Sequence, residues 1–553
     1  MKRMLRAGVQ PTPVNPPSPS FSAFVWLRNA AVLAVLASGT GLIAWKWLEK
    51  PAGKAIPVAS DDAKGTAAKV DATFEADWAS KNLPPAPRAD DLTIIRRLSL
   101  ALTGSIPSLE EIREVQAMKG ENVPQQWLER LLADRRTSDY LAERLARVYV
   151  GTENGPFLIY RRRRLVEWLS EALLQNRPYD RIVRDLIGSK GVWTTSPAVN
   201  FITVTNEPGK GPDEKKLAAK ISRAFLGVRI DCVECHDGKL GSPWKQSDFH
   251  QLAAYFGQTK FDLTGLRDDP KQQYKTRYLG ETEPAVISTQ VPWKHELLPE
   301  KGAPRAKLAD WITAKENKAF ARAVVNRFWA LLFNKPLVTP VDDIPLEGPF
   351  PPGMELIAED FIAHDYDLHR LIRVITSTRL FAASSLSDHP EAERHWAAFP
   401  VTRLRPEQMA GSVIQAASLG TLDAEAHVLF RIKRDIDVGN FVKRYGDRGE
   451  DDFDDGGGTI PQRLLLMNGN MVTDNVKNNP LTAASTRIGL LSPDNRTAIE
   501  SAYLAIFTRK PTPAEATHFE ALLASAKSNG MRSNTLSDLY WTLMNATEFS
   551  WNH

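Results

Sequence analysis

Cys232-Val-Glu-Cys235-His236 holds the only two cysteines of the 553-residue chain, and a histidine follows the second directly. Cys-x-x-Cys-His is the spacing of covalent c-type haem attachment. Two thiols three positions apart can bond to the two vinyl groups of one porphyrin, and the next residue offers an imidazole to the iron. The same letters have other uses. In an oxidising compartment the pair can close as a Cys232–Cys235 disulfide, and the chain then reads as a haem-free periplasmic binding or scaffold protein. It can form half of a zinc site, but tetrahedral zinc takes four ligands and the chain has no second cysteine pair. It can be a redox dithiol, although the βαβ surroundings of a thioredoxin-like site are not evident.

If haem binds, Cys232 and Cys235 are the cofactor-binding thioether residues and His236 is the iron ligand. The sixth ligand is then open. His250 is the nearest further histidine and His295 follows it. No methionine lies between Met118 and Met354, so a sulfur ligand comes from Met118 or from the C-terminal part, with Met467 and Met471 as candidates. A filled position implies electron transfer; an open one implies small-ligand or peroxide chemistry.

A second constellation lies further on. Asp342 and Asp343, then Glu355, with Arg322 and Asn326 on an aromatic-rich stretch, are the residues a hydrolase-like acidic site would use. Carboxylates and arginines so placed also serve as helix caps and ion pairs. No Ser-His-Asp order, metal-ligand helix motif or phosphate loop stands out.

Compartment bears on all of these readings. Lys2, Arg3, Arg6 and Arg28 precede an apolar run from Ala30 to Trp45, extendable to Leu48 if Lys46 snorkels. Trp26, Trp45 and Trp47 suit the two interfaces, and the basic flank predicts a cytoplasmic N-terminus. Residues 29–48 therefore read as a single-pass inner-membrane anchor with the bulk of the chain in the periplasm. The rival is a signal peptide cleaved near Val35-Leu36-Ala37. A net charge of +4 spread along the chain does not point to nucleic acid. With 43% hydrophobic and 25% charged residues, this is ordinary globular material.

The elements that must position these residues read as helices. The expected fold class is mainly α: two helical domains with irregular loops behind one N-terminal transmembrane helix. Residues 1–28 read as a basic, Pro-rich cytoplasmic tail and 49–89 as a linker with one short helix near Ala72–Trp78. Residues 90–258 form the domain holding the Cys motif, 259–304 a connector, and 305–553 a C-terminal helical domain. Leu92, Ile95, Leu98 and Leu102 recur at helical spacing. Ser108-Leu-Glu-Glu111 predicts a capping box. Arg161 to Arg164 reads as a solvated helix start, with a haem propionate or other anion as the alternative. Ser247 predicts an N-cap for a helix over 248–256. The acidic, Gly-rich stretch Asp447 to Gly458 lacks EF-hand spacing and reads as a surface loop, with a calcium site as the alternative.

Several blocks carry a resemblance. In the first half they are Asp91-Leu-Thr-Ile-Ile-Arg-Arg-Leu-Ser-Leu-Ala-Leu-Thr-Gly-Ser-Ile-Pro107, Pro178-Tyr-Asp-Arg-Ile-Val-Arg184 and Phe225 to His236. In the second they are Leu308-Ala-Asp-Trp-Ile312, Phe320 to Trp329, Pro340-Val-Asp-Asp343, Ile460-Pro-Gln462, Met467-Asn-Gly469 and Asn545-Ala-Thr-Glu-Phe549. Together they resemble the planctomycete and verrucomicrobial cytochrome-like two-domain family of unknown function. The resemblance implies an exported, largely helical, cytochrome-like protein carrying haem c. It also implies a redox or polysaccharide-degrading partner, with electron transfer linked to polymer breakdown. Two departures stand out. The family commonly continues Cys-His with Asn or Asp, His and Pro, whereas this chain has Asp237-Gly238-Lys239. It often has Pro-Ser-His-Pro-Glu where this chain has Pro351-Pro352-Gly353-Met354-Glu355.

Overall fold

The structure, a computed structural model, describes residues 62–118, 122–153, 160–207, 209–238, 243–278, 280–423, 428–446, 453, 459–479 and 483–553; of 428–433 and 435 only the backbone is described. All of these belong to one compact unit, Pro57–His553. Helices dominate, and the strands pair two by two in antiparallel ribbons. The expected membrane anchor at 29–48 and the tail at 1–28 lie outside the described residues. Among the described residues no helix is long and apolar enough to cross a membrane.

The segment expected to be a linker is corrected from residue 62 onward. Ala63–Lys81 is a 19-residue helix, far longer than the short one expected at Ala72–Trp78. Asp62 caps it by accepting from the Gly65 N–H at 3.1 Å. Val70, Phe74 and Trp78 recur at i, i+4, i+8 and are buried. Phe74 stacks on Trp329 with centroids 6.0 Å apart, and the Trp78 indole donates to the His395 carbonyl at 2.7 Å. Gly353 (φ +76°) lets the next layer approach, since a Cβ there would meet Val70 Cγ1 at 2.7 Å.

The connector expected at 259–304 does not separate two cores. One hydrophobic core gathers side chains from Ala63 through Phe399, so it runs across the expected connector. Val291 and Tyr274 of that connector are buried, and Trp293 packs edge-on to Trp311 at 5.0 Å. Its first part is an antiparallel hairpin, Thr259–Asp262 with Gly265–Asp268. A second core gathers Leu404 to Phe549 and takes in Leu100, Ile106, Leu109 and Ile112 from early in the chain. The Asp91–Thr103 helix therefore joins the two. Its Arg97 is buried, donates to the carbonyls of Phe381 and Ala383 at 2.8 Å, and lies 3.6 Å over the Phe399 ring. Apolar runs broken by polar turns read as domain ends in the sequence, whereas here the turns are folded back onto one core.

Local signals hold where the chemistry is local. Ser108 and Glu111 form the capping box at 2.8 and 3.0 Å. The arginine run opens the helix Arg162–Leu174: Arg162 clasps Glu143 at 2.8 and 2.9 Å, and Arg163 and Arg164 pair with Glu167. Of the acidic stretch 447–458 only Phe453 is described, packed against the first core; the rest lies outside the described residues.

Candidate functional site

The Cys motif sits on a single turn at the surface of the first core. The helix Glu214–Ile221 passes into a wider turn, Ser222–Leu226, and ends at Gly227 with φ +63°. A Cβ at Gly227 would come within 3.1 Å of Ala323, so glycine permits close contact with the helix Lys318–Phe333. Val228 and Ile230 then anchor the chain in the core. Asp231–Val233 is a 3₁₀ turn closed by Val233 N–H to Ile230 O and Glu234 N–H to Asp231 O, both at 3.2 Å. This winding buries Val233 and leaves Cys232, Cys235 and His236 exposed. Both cysteines are free thiols.

His236 is oriented by its own neighbour. Its Nδ1 lies 2.8 Å from the Asp237 carbonyl, to which only an Nδ1–H can donate. That tautomer leaves the Nε2 lone pair available, the arrangement metal-ligating imidazoles use.

The helix Gln246–Ala253 holds the turn from the other side. It begins two residues before the expected Asp248, and its first turn is closed by Asp248 accepting from the Lys245 N–H at 2.8 Å, so Ser247 is not the cap. Gln246 Nε2 donates to the Glu234 carbonyl at 3.0 Å, and the Gln246 N–H donates to Asp237 at 2.9 Å. His250 Nε2 reaches the same Glu234 carbonyl at 3.0 Å, while its Nδ1 accepts from the Tyr274 hydroxyl at 2.8 Å. Burial lowers the His250 pKa, and the Glu234 carbonyl, which can only accept, places a proton on Nε2. Both nitrogens of this sixth-ligand candidate are thus engaged in holding the turn.

The other candidates lie elsewhere. Met471 packs against the second core, and the Met467 carbonyl accepts from the Trp541 indole at 3.3 Å. Val233 of the Cys turn and Tyr274 beside it belong to the first core. His295 is exposed on a short 3₁₀ turn. Among the described residues no group of three or more His, Cys, Asp or Glu side chains could hold a metal ion.

The acidic constellation does not converge. Arg322 donates to Glu355 at 3.0 Å and to the Leu346 carbonyl at 2.9 Å, and this pairing holds the Glu355 carboxyl below its usual range. Asn326, fully buried, clamps a loop by donating to the carbonyls of Val338 and Val341 and accepting from the Val338 N–H at 2.9 Å. Asp343 is exposed. Asp342 turns toward the Cys region and accepts from Arg229 Nε at 2.9 Å.

The residues sequence reasoning missed are the supports: Arg223, Asp231, Gln246 and Tyr274. Arg223 and Asp231 pair at 3.0 Å across eight positions, and Tyr274 reaches His250 across 24. No periodicity links such pairs, because a loop brings them together.

Residues 69–261 match the family PSCyt2, a protein of unknown function (DUF1549). Residues 304–430 match PSD1, also a protein of unknown function (DUF1553). No curated protein and no solved structure matches the chain. The Cys turn falls in the first matched region and Asp342 in the second. The first match begins inside the Ala63–Lys81 helix, in keeping with that helix being packed into the core.

In donor type the residues fit a c-type haem: two exposed cysteines three positions apart and an adjoining imidazole with its tautomer set. On one flank the turn adjoins a cleft of about 530 Å³ lined by Asp213, Lys215, Asp231 and Glu234. On the other, the Gly238 N–H donates to the Trp244 carbonyl at 2.9 Å, and Trp244 packs on Trp293 with centroids 5.6 Å apart.

Proposed function

We propose that Cys232, Cys235 and His236 attach a c-type haem, and that the protein passes electrons as an exported, membrane-anchored cytochrome-like protein. The observation that carries this reading is the His236 Nδ1 contact with the Asp237 carbonyl, beside two exposed thiols on the same turn. The haem, when bound, supplies one-electron chemistry at its iron. The chain's own residues do the rest. Cys232 and Cys235 present thiols to the vinyl groups. His236 offers Nε2. His250 and Gln246 hold the Glu234 carbonyl, and with it the path of the backbone between the two cysteines. His250 is read as a support and not as the sixth ligand, because ligation would cost it the Tyr274 or the Glu234 contact.

In this reading residues 29–48 anchor the chain in the inner membrane and the body is periplasmic, the compartment in which bacteria attach haem to this motif. A partner in oxidative polymer breakdown rests on the family resemblance alone.

The test is a pyridine haemochrome spectrum and haem staining on a denaturing gel, after expression with a cytochrome c maturation system. A covalent signal that disappears in Cys235→Ala is expected. No signal, with an intact mass two hydrogens below the dithiol, would make the pair a structural disulfide and end the cytochrome reading.

A further inference from the structure

The Cys turn is held by more than its own neighbourhood. Asp231, the residue before Cys232, takes two contacts from Arg223, Nε at 3.1 Å and Nη2 at 3.0 Å. Arg223 also faces Asp342, with Nη1 to Oδ2 at 3.7 Å. Asp342 in turn accepts from Arg229 through Nε at 2.9 Å and Nη2 at 2.7 Å. Asp342 is 7% exposed and is carried on the loop after the helix Lys318–Phe333, more than a hundred residues beyond the motif. That loop is fastened independently. Ile344 N–H donates to the Gly227 carbonyl at 2.7 Å, and Asn326 clamps its start at Val338 and Val341.

We infer that Asp342 is a positioning residue for the cysteine turn, so that the second matched region completes the site carried by the first. Asp342 stands between two guanidiniums that repel each other, and its carboxylate lets both lie against one face of the 223–231 segment. Without that charge, Arg223 is pushed away from Arg229 and is no longer held in the geometry that clasps Asp231. The turn then keeps the Gln246 and His250 contacts at Glu234 but loses its hold at Asp231, on the Cys232 side. This gives the aspartate a role distinct from catalysis and explains why it is buried against arginines instead of facing a cleft. The inference concerns the turn itself and stands whether or not haem is attached.

The test uses the full chain made without haem maturation and kept reduced. The alkylation rate of each cysteine is followed by peptide mass mapping. Asp342→Asn is expected to raise the rate at Cys232 about five-fold, with a smaller rise at Cys235. Asp342→Glu, which keeps the charge, is expected to restore the parent rate to within about two-fold. The exposed neighbour serves as control, and Asp343→Asn is expected to leave both rates unchanged. Equal rates in parent and Asp342→Asn would overturn the inference. So would an equal rise in Asp343→Asn, or a Glu variant that behaves like the Asn variant. If Asp342→Asn fails to fold, Arg223→Gln cuts the Asp231 clasp while leaving the Arg229–Asp342 pair; an unchanged Cys232 rate there would overturn it equally. Since the readout is thiol reactivity, a negative haemochrome does not decide it.

Discussion

The cysteine turn and the Arg322–Glu355–Asn326 cluster both present chemically capable side chains, yet they differ in what those side chains do. At the turn the backbone carries the restraints: Glu234 O receives two donors and Val233 is buried, while the thiols and imidazole face solvent. In the cluster the side chains themselves are the restraints. Arg322 is bonded to Glu355 and a carbonyl, and Asn326 makes three bonds to one loop. A group available for chemistry must keep its reacting atom out of the bonds that place it, as His236 does by bonding through Nδ1 and leaving Nε2 free. By that criterion the first region leaves side chains open to chemistry and the second is scaffold.

Removing the scaffold should give the largest effect. Asn326→Ala strands two carbonyls and one N–H of the loop in a buried setting, at a cost of about 3 kcal/mol. Urea unfolding of the full chain would show it as a lower midpoint. A loss of less than about 0.5 kcal/mol would mean that the clamp does not matter and would reopen the cluster as a functional site. His250→Ala comes next. It removes a buried ring and two hydrogen bonds, and about 2 kcal/mol of stability is expected to go with it. It should also speed alkylation of Cys235, because the Glu234 carbonyl loses one of its donors, whereas Asn326→Ala, which loosens the loop carrying Asp342, should act mainly at Cys232. If both variants raised the Cys235 rate equally, the distinction between the two regions would fail.

The same distinction explains what was legible in the sequence. The motif, its place between two helices, the Ser108 capping box and the solvated arginine run were all readable, because each is written in residues a few positions apart. The helix Ala63–Lys81 was mostly missed, since its Val70, Phe74 and Trp78 stripe is diluted by alanine, lysine and aspartate; only the packing against Trp329 makes it a core element. The packing of 259–304 onto the core was illegible for a related reason. Polar, irregular stretches mark domain ends only when nothing packs on them, and here Tyr274, Val291 and Trp293 do pack. The roles of Asp342 and His250 were unreadable because they depend on Arg229 and Tyr274, partners that only folding brings near.

The smallest effects concern pH, and two groups outside the turn should pull in opposite directions. Burial lowers the His369 pKa to about 4, against about 6.5 in an unfolded chain. The unfolded state then binds more protons between these values, so stability is full above about 6.5 and is lost as pH falls toward 4. Asp71 has the reverse sign. Burial and the nearby Glu75 raise it to about 6, although the Arg379 N–H donates to it at 2.9 Å. The folded state now binds more protons between about 3.9 and 6, so this group costs stability as pH rises through that window. Asp71→Asn keeps an acceptor for the Arg379 N–H and removes the charge. It should raise the urea midpoint at pH 7 by an amount worth less than about 1 kcal/mol, since the site is partly open to solvent. At pH 4 it should change nothing. His369→Gln should flatten the loss of stability between pH 6.5 and 4. Neither substitution should alter the alkylation rate of Cys232 or Cys235. A change there would tie these distant groups to the turn and break its separation from the scaffold.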